Sequence, residues 1–278
     1  MTATRESRIA FAEFMLEIES TVNEMGFLDH EPPWFRGHSA SSHTLLPSLM
    51  RESTLRSIGV GRDGLFEKGS VDRHRVLRLE SDLFFDFQLR LGRERSEFAS
   101  CWDTLFAMRH FGLPTRTLDW TETVGVAIYF AVNAPKVDEP SIWILHPYLM
   151  NQFHWVARDT AMPKYLGQGV GTPALSDYDD ILGHWKHDDL VFKGPVAVCP
   201  SRANARMQAQ TGSFTVHGTD WRPLEQQVGS DVVRRVTMPS AAVEGARLFL
   251  TEAGLTTRVL FPGIDGLAQE MRERFVSP

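Results

Sequence analysis

The chain has 278 residues, 42% of them hydrophobic and 23% charged, with a net charge of −6. This length and composition suit one large or two small globular domains and leave enough apolar material for a core. The acidic balance excludes a global basic field for nucleic acid or an anionic membrane, while leaving room for a local cationic pocket.

Two cysteines, Cys101 and Cys199, lie far apart in no ligand pattern. They argue for a reducing compartment and against a disulfide framework or a cysteine-based zinc site. Charges run through "MTATRESRIAFAEFM", so the signal-peptide pattern is missing. No stretch reaches the ~20 apolar residues that span a bilayer. The expectation is a cytoplasmic protein with no membrane partner and no bound metal.

In chain order, residues 7–25 place Phe11, Phe14, Met15, Ile18, Val22 and Met25 on one helical face, with Gly26 as the stop. Trp34 to Arg36 read as a short strand. The stretch 54–75 is rich in glycine and charge and reads as a loop or partly ordered insertion. Residues 76–92 predict a long amphipathic helix ending at Gly92, and 98–112 a second ending at Gly112. Pro114 prevents simple continuation. "TRTLDW" has strand character, 122–134 suit a buried helix that Thr121 or Thr123 caps, and "SIWILHP" is strongly β-prone. Residues 150–190 read as a long irregular insertion. Strands are expected at 194–201, 212–218 and 232–239. A helix over 240–254 takes Ser240 as N-cap and Gly254 as stop, and a last helix over 265–276 takes Asp265 as cap. No repeat is visible. Helices first and strands clustered later favour an α+β fold with a mixed, mostly antiparallel sheet in a single domain carrying helical N-terminal decoration.

Three stretches carry candidate chemistry. In "PPWFRGHSASSH", Arg36 offers a rigid fork of donors for phosphate or carboxylate, and Gly37 permits close backbone approach. An arginine paired with an internal carboxylate such as Asp119 explains the same residue, and residue types alone do not separate the two. In "RHFGLPTRTLDWT", Asp119 needs a cationic partner if it is buried, with Arg36, Arg109 and Arg116 as candidates. The structural alternative there is a buried salt-bridge network fixing a strand–helix junction. In "RANARMQAQTGSFTVHG", Gln208 and Gln210 precede a glycine turn; a glutamine orients a nucleophile or binds a ribose hydroxyl but is no base near neutral pH.

Other signals are weaker. "GQGVGT", 167–172, departs from a phosphate-loop pattern, and "HWKHDD", 184–189, has no matching ligands elsewhere. No G-x-S-x-G or H-E-x-x-H is present, which removes support for a serine-elbow hydrolase or that type of zinc protease.

Together, "WFRG" with "LLPSLMR", "RHFGLPTRTLDWTETVGVAIYFA", "ARMQAQTGSFTVHG" and "LFPGIDGLAQEM" resemble the FRG domain family, named for the stretch that here is Phe35, Arg36 and Gly37. Arg109 stands where the family often has Gln, and Thr117 where it often has Leu. The resemblance implies an FRG domain over 32–278, with 1–31 as a helical extension packed on it, and an association with bacterial and phage conflict systems. A more distant resemblance is to ADP-ribosyltransferases, which have an arginine on the first core strand, a polar motif running into a helix, and a late Glu or Gln. Arg36, Asp119-Trp120-Thr121 and Gln210 look like those elements.

This second resemblance implies an ADP-ribosyltransferase-like sheet with NAD as substrate. Arg36 would clamp the pyrophosphate, with Gly37, His38, Arg116 and Thr121 around the nucleotide. Trp120 or Phe111 would stack on nicotinamide, Gln210 would hold ribose hydroxyls, and Asp119 or His110 would move the proton. The acceptor would be an unidentified macromolecule. The alternative is a non-catalytic sensor or effector module that binds a nucleotide or a partner protein.

Overall fold

The computed structural model describes residues 3–29, 31–67, 70–92, 101–133, 138–154, 164–166, 194–200, 208–218 and 220–276. Its centre is one sheet. The strands are β1 (Trp34–His38), β2 (Thr117–Thr121), β3 (Ser141–Leu145), β4 (Lys164–Leu166), β5 (Val196–Pro200), β6 (Gly212–Val216) and β7 (Val233–Thr237). Their order across the sheet is β4-β5-β6-β2-β1-β3-β7. All neighbours are antiparallel except the short edge strand β4, which runs parallel to β5. The molecule is thus α+β with a mixed, mostly antiparallel sheet.

The helices are α1 (Arg5–Met25), α2 (Glu52–Ser57), α3 (Val71–Arg90), α4 (Cys101–His110), α5 (Val124–Val132), α6 (Pro147–His154), α7 (Val243–Glu252), α8 (Thr257–Leu260) and α9 (Ile264–Phe275). Thr4 caps α1 by accepting from the Ser7 N–H at 3.1 Å, and Gly26 closes it at φ 70°. Phe11, Phe14, Ile18 and Met25 of α1 enter one core cluster with Val126 and Ile128 of α5, Ile142 and Ile144 of β3, and Val243 and Ala246 of α7. On the same sheet face a second cluster joins Phe84 of α3 and Trp102, Leu105 and Phe106 of α4 to Val196, Val198, Phe214 and Val216 of β5 and β6. The opposite face is covered by a third cluster containing Trp34, Leu118, Trp120, Trp143 and Leu145.

Several boundaries differ from expectation. Of the two readings of 54–75, the ordered one fits, since most of its described residues are helix and turn. The stretch contains α2, a 3-10 turn at Asp63–Phe66 and the start of α3, where Ser70 Oγ accepts from the Arg73 N–H at 3.2 Å. Charges in "VDRHR" hide the apolar period until Val76, so the cap sets the start instead. Ser240 begins a 3-10 turn, and Ala242 occupies the N-cap position of α7. Gly263 occupies the N-cap of α9, leaving Asp265 in the first turn. Thr123 occupies the N-cap of α5, and Thr121 Oγ1 accepts its N–H at 3.1 Å. Helix α9 is exposed along most of its length: only Gly266 is buried, Glu273 accepts from Thr257, and Ile264, Met271 and Phe275 face solvent. The stretches 167–172 and 184–189 lie outside the described residues, as does most of 150–190.

Candidate functional site

The first two clusters share a sheet face but leave a gap over β2. Strand β1 registers on β2 at a single position, Phe35 opposite Thr121, whereas it registers on β3 at five, from Trp34 to His38. Beyond Phe35 the two central strands therefore lack ladder partners for each other. A cavity of about 670 Å³ occupies this place, between α5 (Val126, Ala127, Phe130) and the end of α4 (Arg109, His110).

Arg36 bridges the unpaired edges. Its NH1 donates to the Asp119 backbone oxygen at 2.5 Å and lies 3.4 Å from the Asp119 carboxylate, while its Nε donates to His38 Nε2 at 3.1 Å. Arg109 takes the rest of the carboxylate: Nε is 2.9 and 3.0 Å from the two oxygens and NH2 is 2.7 Å from Oδ2. Its NH1 donates to Ser48 Oγ at 3.3 Å, and Ser48 in turn accepts the Thr115 N–H at 3.2 Å. One carboxylate thus holds two guanidinium groups, a fork geometry suited to strong charge-assisted bonds.

Burial alone pushes the Asp119 carboxyl up, but Arg109 and Arg36 outweigh it and bring it down to about 2. Its side chain remains 43% exposed, because it faces the cavity rather than packed protein. Desolvation lowers Arg36 to about 10 against the pull of Asp119, with Arg109 and Arg51 adding repulsion. Desolvation, then Arg36, brings His38 down to about 3. The ring is therefore neutral; Nε2 faces the Arg36 Nε donor, while Nδ1 lies 3.3 Å from the His43 carbonyl and 3.2 Å from the Trp143 Nε1 donor.

The cavity wall contains Arg36, Gly37, His38, His110, Asp119, Trp120, Thr121 and Gln210. Gln210 arrives through a strained turn, for Thr211 holds φ 46°, a left-handed value that costs a β-branched residue ~1–3 kcal/mol. The turn sets the Gln210 carbonyl to accept from Thr121 Oγ1 at 2.7 Å, while Gln210 Nε2 donates to the Leu260 carbonyl at 2.9 Å.

Other expectations are corrected. Arg116 is outside the cavity: its backbone N–H and Nε bind Glu80 at 3.0 and 2.7 Å, its NH2 pairs with the same carboxylate, and both side chains are buried. Phe111 is also outside, 65% exposed and edge-on to His110. The Trp120 ring is no stacking platform, since it is buried in the third cluster and donates to Thr215 Oγ1 at 3.1 Å. Gly37 is needed for helix packing rather than ligand approach. A Cβ there would lie 1.9 Å from the Ala127 carbonyl oxygen of α5.

Sequence reasoning missed Ser48, Arg51, Arg62 and Phe130. Arg51 sits inside "LLPSLMR", but no period or charge pattern there distinguishes it from a surface arginine. Cavity-lining cations number four arginines against two carboxylates, Asp119 and Glu52, and Glu52 already pairs with Arg56. The site is locally cationic within an acidic protein. Among the described residues no group of three or more His, Cys, Asp or Glu has metal-binding placement, and no helix is long and apolar enough to cross a membrane.

Comparison with known families matches residues 31–139 to the FRG domain. Comparison with curated proteins gives no match, and neither does comparison with solved structures.

Proposed function

We propose that this FRG-domain chain binds an anionic nucleotide in the cavity between β1 and β2, with NAD as the first candidate. The observation that carries this reading is the excess of guanidinium groups over available carboxylates in a cavity of about 670 Å³. That volume falls within the ~300–1,000 Å³ of dedicated small-molecule sites. A phosphoryl or pyrophosphoryl group supplies the missing negative charge, and Phe35, Phe130 and Val126 supply apolar wall for a ring system.

The chemistry consistent with this wall is cleavage of the bond between nicotinamide and its ribose. The electron pair of that bond leaves with nicotinamide, and water or an acceptor hydroxyl attacks C1′ and loses a proton. Gln210 is placed on the wall to bind ribose hydroxyls through its side-chain oxygen, and His110 is the wall residue suited to receive the proton. Asp119 does not fit that second role. Two arginines hold it ionised at about 2, so its work is to fix their orientation.

A non-catalytic nucleotide sensor is the second reading. It is favoured by one observation: Gln210 Nε2 and both oxygens of Asp119 are already engaged by protein partners. Nicotinamide release from NAD separates the readings, measured on wild type beside Arg36→Lys, with bacterial lysate supplying acceptors. Release that falls in the variant supports the enzyme. Thermal stabilisation by ADP-ribose without release supports the sensor. Neither release nor stabilisation contradicts nucleotide binding in this cavity.

A further inference from the structure

The four arginines of the cavity divide into two kinds. Arg109 has all three nitrogens engaged: Nε and NH2 lie on Asp119, and NH1 lies on Ser48. Arg36 commits Nε to His38 and NH1 to Asp119, but its NH2 has no hydrogen-bond partner among the described residues. Arg51 differs from both. Its Nε donates to the Leu46 carbonyl at 3.0 Å, which anchors the base of the guanidinium, and it makes no ion pair with any described carboxylate. Its neighbour Glu52 pairs with Arg56 instead.

Arg51 nevertheless lines the cavity, close enough for its charge to act on Arg36 and His38. Arg51 is an exposed residue, so its partial desolvation is a modest effect; it and Arg109 lower its affinity for the proton, and Asp119 only partly offsets them. A cation held by a backbone carbonyl, repelled by neighbouring cations and lacking a counter-ion is poised for a ligand anion. Its remaining NH1 and NH2 donors give the two-point geometry that phosphate oxygens accept.

Resting on the nucleotide reading above, we propose that Arg51 and the NH2 edge of Arg36 form the phosphoryl subsite of the cavity. Arg109 and Asp119 act as its scaffold. Arg62, also on the wall, lies outside this pair and adds attraction without a fixed contact. The ligand class is a nucleotide with unshielded phosphoryl or pyrophosphoryl oxygens, and the uncharged part of the nucleotide lies away from Arg51.

The test is titration of the full chain with inorganic pyrophosphate, ADP and adenosine, followed by calorimetry, in wild type, Arg51→Met, Arg51→Lys and Arg78→Met. Wild type is expected to bind pyrophosphate and ADP. Loss of a charge-assisted pair corresponds to at least ~10-fold weaker binding in Arg51→Met. Arg51→Lys, which retains charge without the fork, is expected to fall between. Arg78→Met, with the same charge change at an exposed arginine whose partner Asp82 also lies outside the cavity, is expected to match wild type. Wild-type binding that survives in both Arg51 variants overturns the subsite and leaves nucleotide binding standing. Failure of wild type to bind either anion overturns the nucleotide reading beneath it. If Arg51→Met does not fold, Arg51→Lys decides: unchanged affinity there overturns the subsite.

Discussion

Asp119 gathers Arg36 and Arg109 at a place where the sheet has no ladder to offer. Its carboxyl is held at about 2 in the folded chain against an ordinary 3.8. The stabilisation from this difference is complete above the ordinary value and is lost as pH falls toward 2. We expect the melting temperature of wild type to drop between pH 4 and 2, and Asp119→Asn to lack that component. Equal acid limbs in the two proteins would contradict it. At neutral pH the same substitution should cost about 1–2 kcal/mol by chemical denaturation. The half-exposed carboxylate keeps this below the loss at a fully buried pair. The Arg116–Glu80 pair is the contrasting case, with both side chains buried. Burial pushes the Glu80 carboxyl up, and Arg116 opposes this with its charge and its N–H donors. Glu80→Ala should cost about 3–5 kcal/mol by leaving Arg116 charged and unpaired. Loss of only a few tenths would show that the pair is dispensable. The sequence marked Asp119 as a charge in need of a cation, and two of its three candidates, Arg36 and Arg109, meet it. Arg116 could not be told from them, because its partner lies 36 residues away on a helix whose period gave no reason to bury Glu80.

At the scale of elements, a small residue sets how closely α5 packs on β1. Gly37 admits α5, whose Ala127 carbonyl and Ala131 N–H would lie 1.9 and 2.8 Å from an added Cβ. Gly37→Ala should therefore destabilise by about 3 kcal/mol or more, the upper part of the range for overpacking, since the obstacle is helix backbone rather than a movable side chain. A melting temperature within a degree or two of wild type would mean that α5 shifts freely. Gly245 does the same work between α7 and α1, its added Cβ lying 2.4 Å from the Ser7 carbonyl. Most elements were legible: α1 from its 3–4 spacing and Gly26, β3 from a run of β-branched and aromatic residues, and α5 from an apolar stretch after a threonine. The start of α3 was not, because capping by Ser70 leaves no apolar signature. The exposure of Ile264, Met271 and Phe275 on α9 was also illegible, since amphipathicity identifies a helix but not which face meets the protein.

In the whole molecule, the site exists because two helix groups cover the same sheet face without meeting. One packs on β1, β3 and β7, the other on β5 and β6, and the cavity lies between them. This gap depends on strand order β6-β2-β1, which brings together residues 83 and 91 positions apart, Arg36 with Asp119 and Asp119 with the neighbourhood of Gln210. Motif order in the sequence indicated that Arg36, Asp119 and Gln210 belong to one neighbourhood. It could not reveal that β1 and β2 pair at one position only, because register is a property of two strands together. Nor could it assign Arg51, whose significance comes from the carboxylates that other arginines have already taken. The most direct measurement of the central claim is calorimetric binding of ADP-ribose and adenosine to wild type at low and moderate salt. The cationic cavity predicts that ADP-ribose binds, that adenosine binds far more weakly, and that added salt weakens ADP-ribose alone. Equal affinity for the two, or no binding of either, would contradict it.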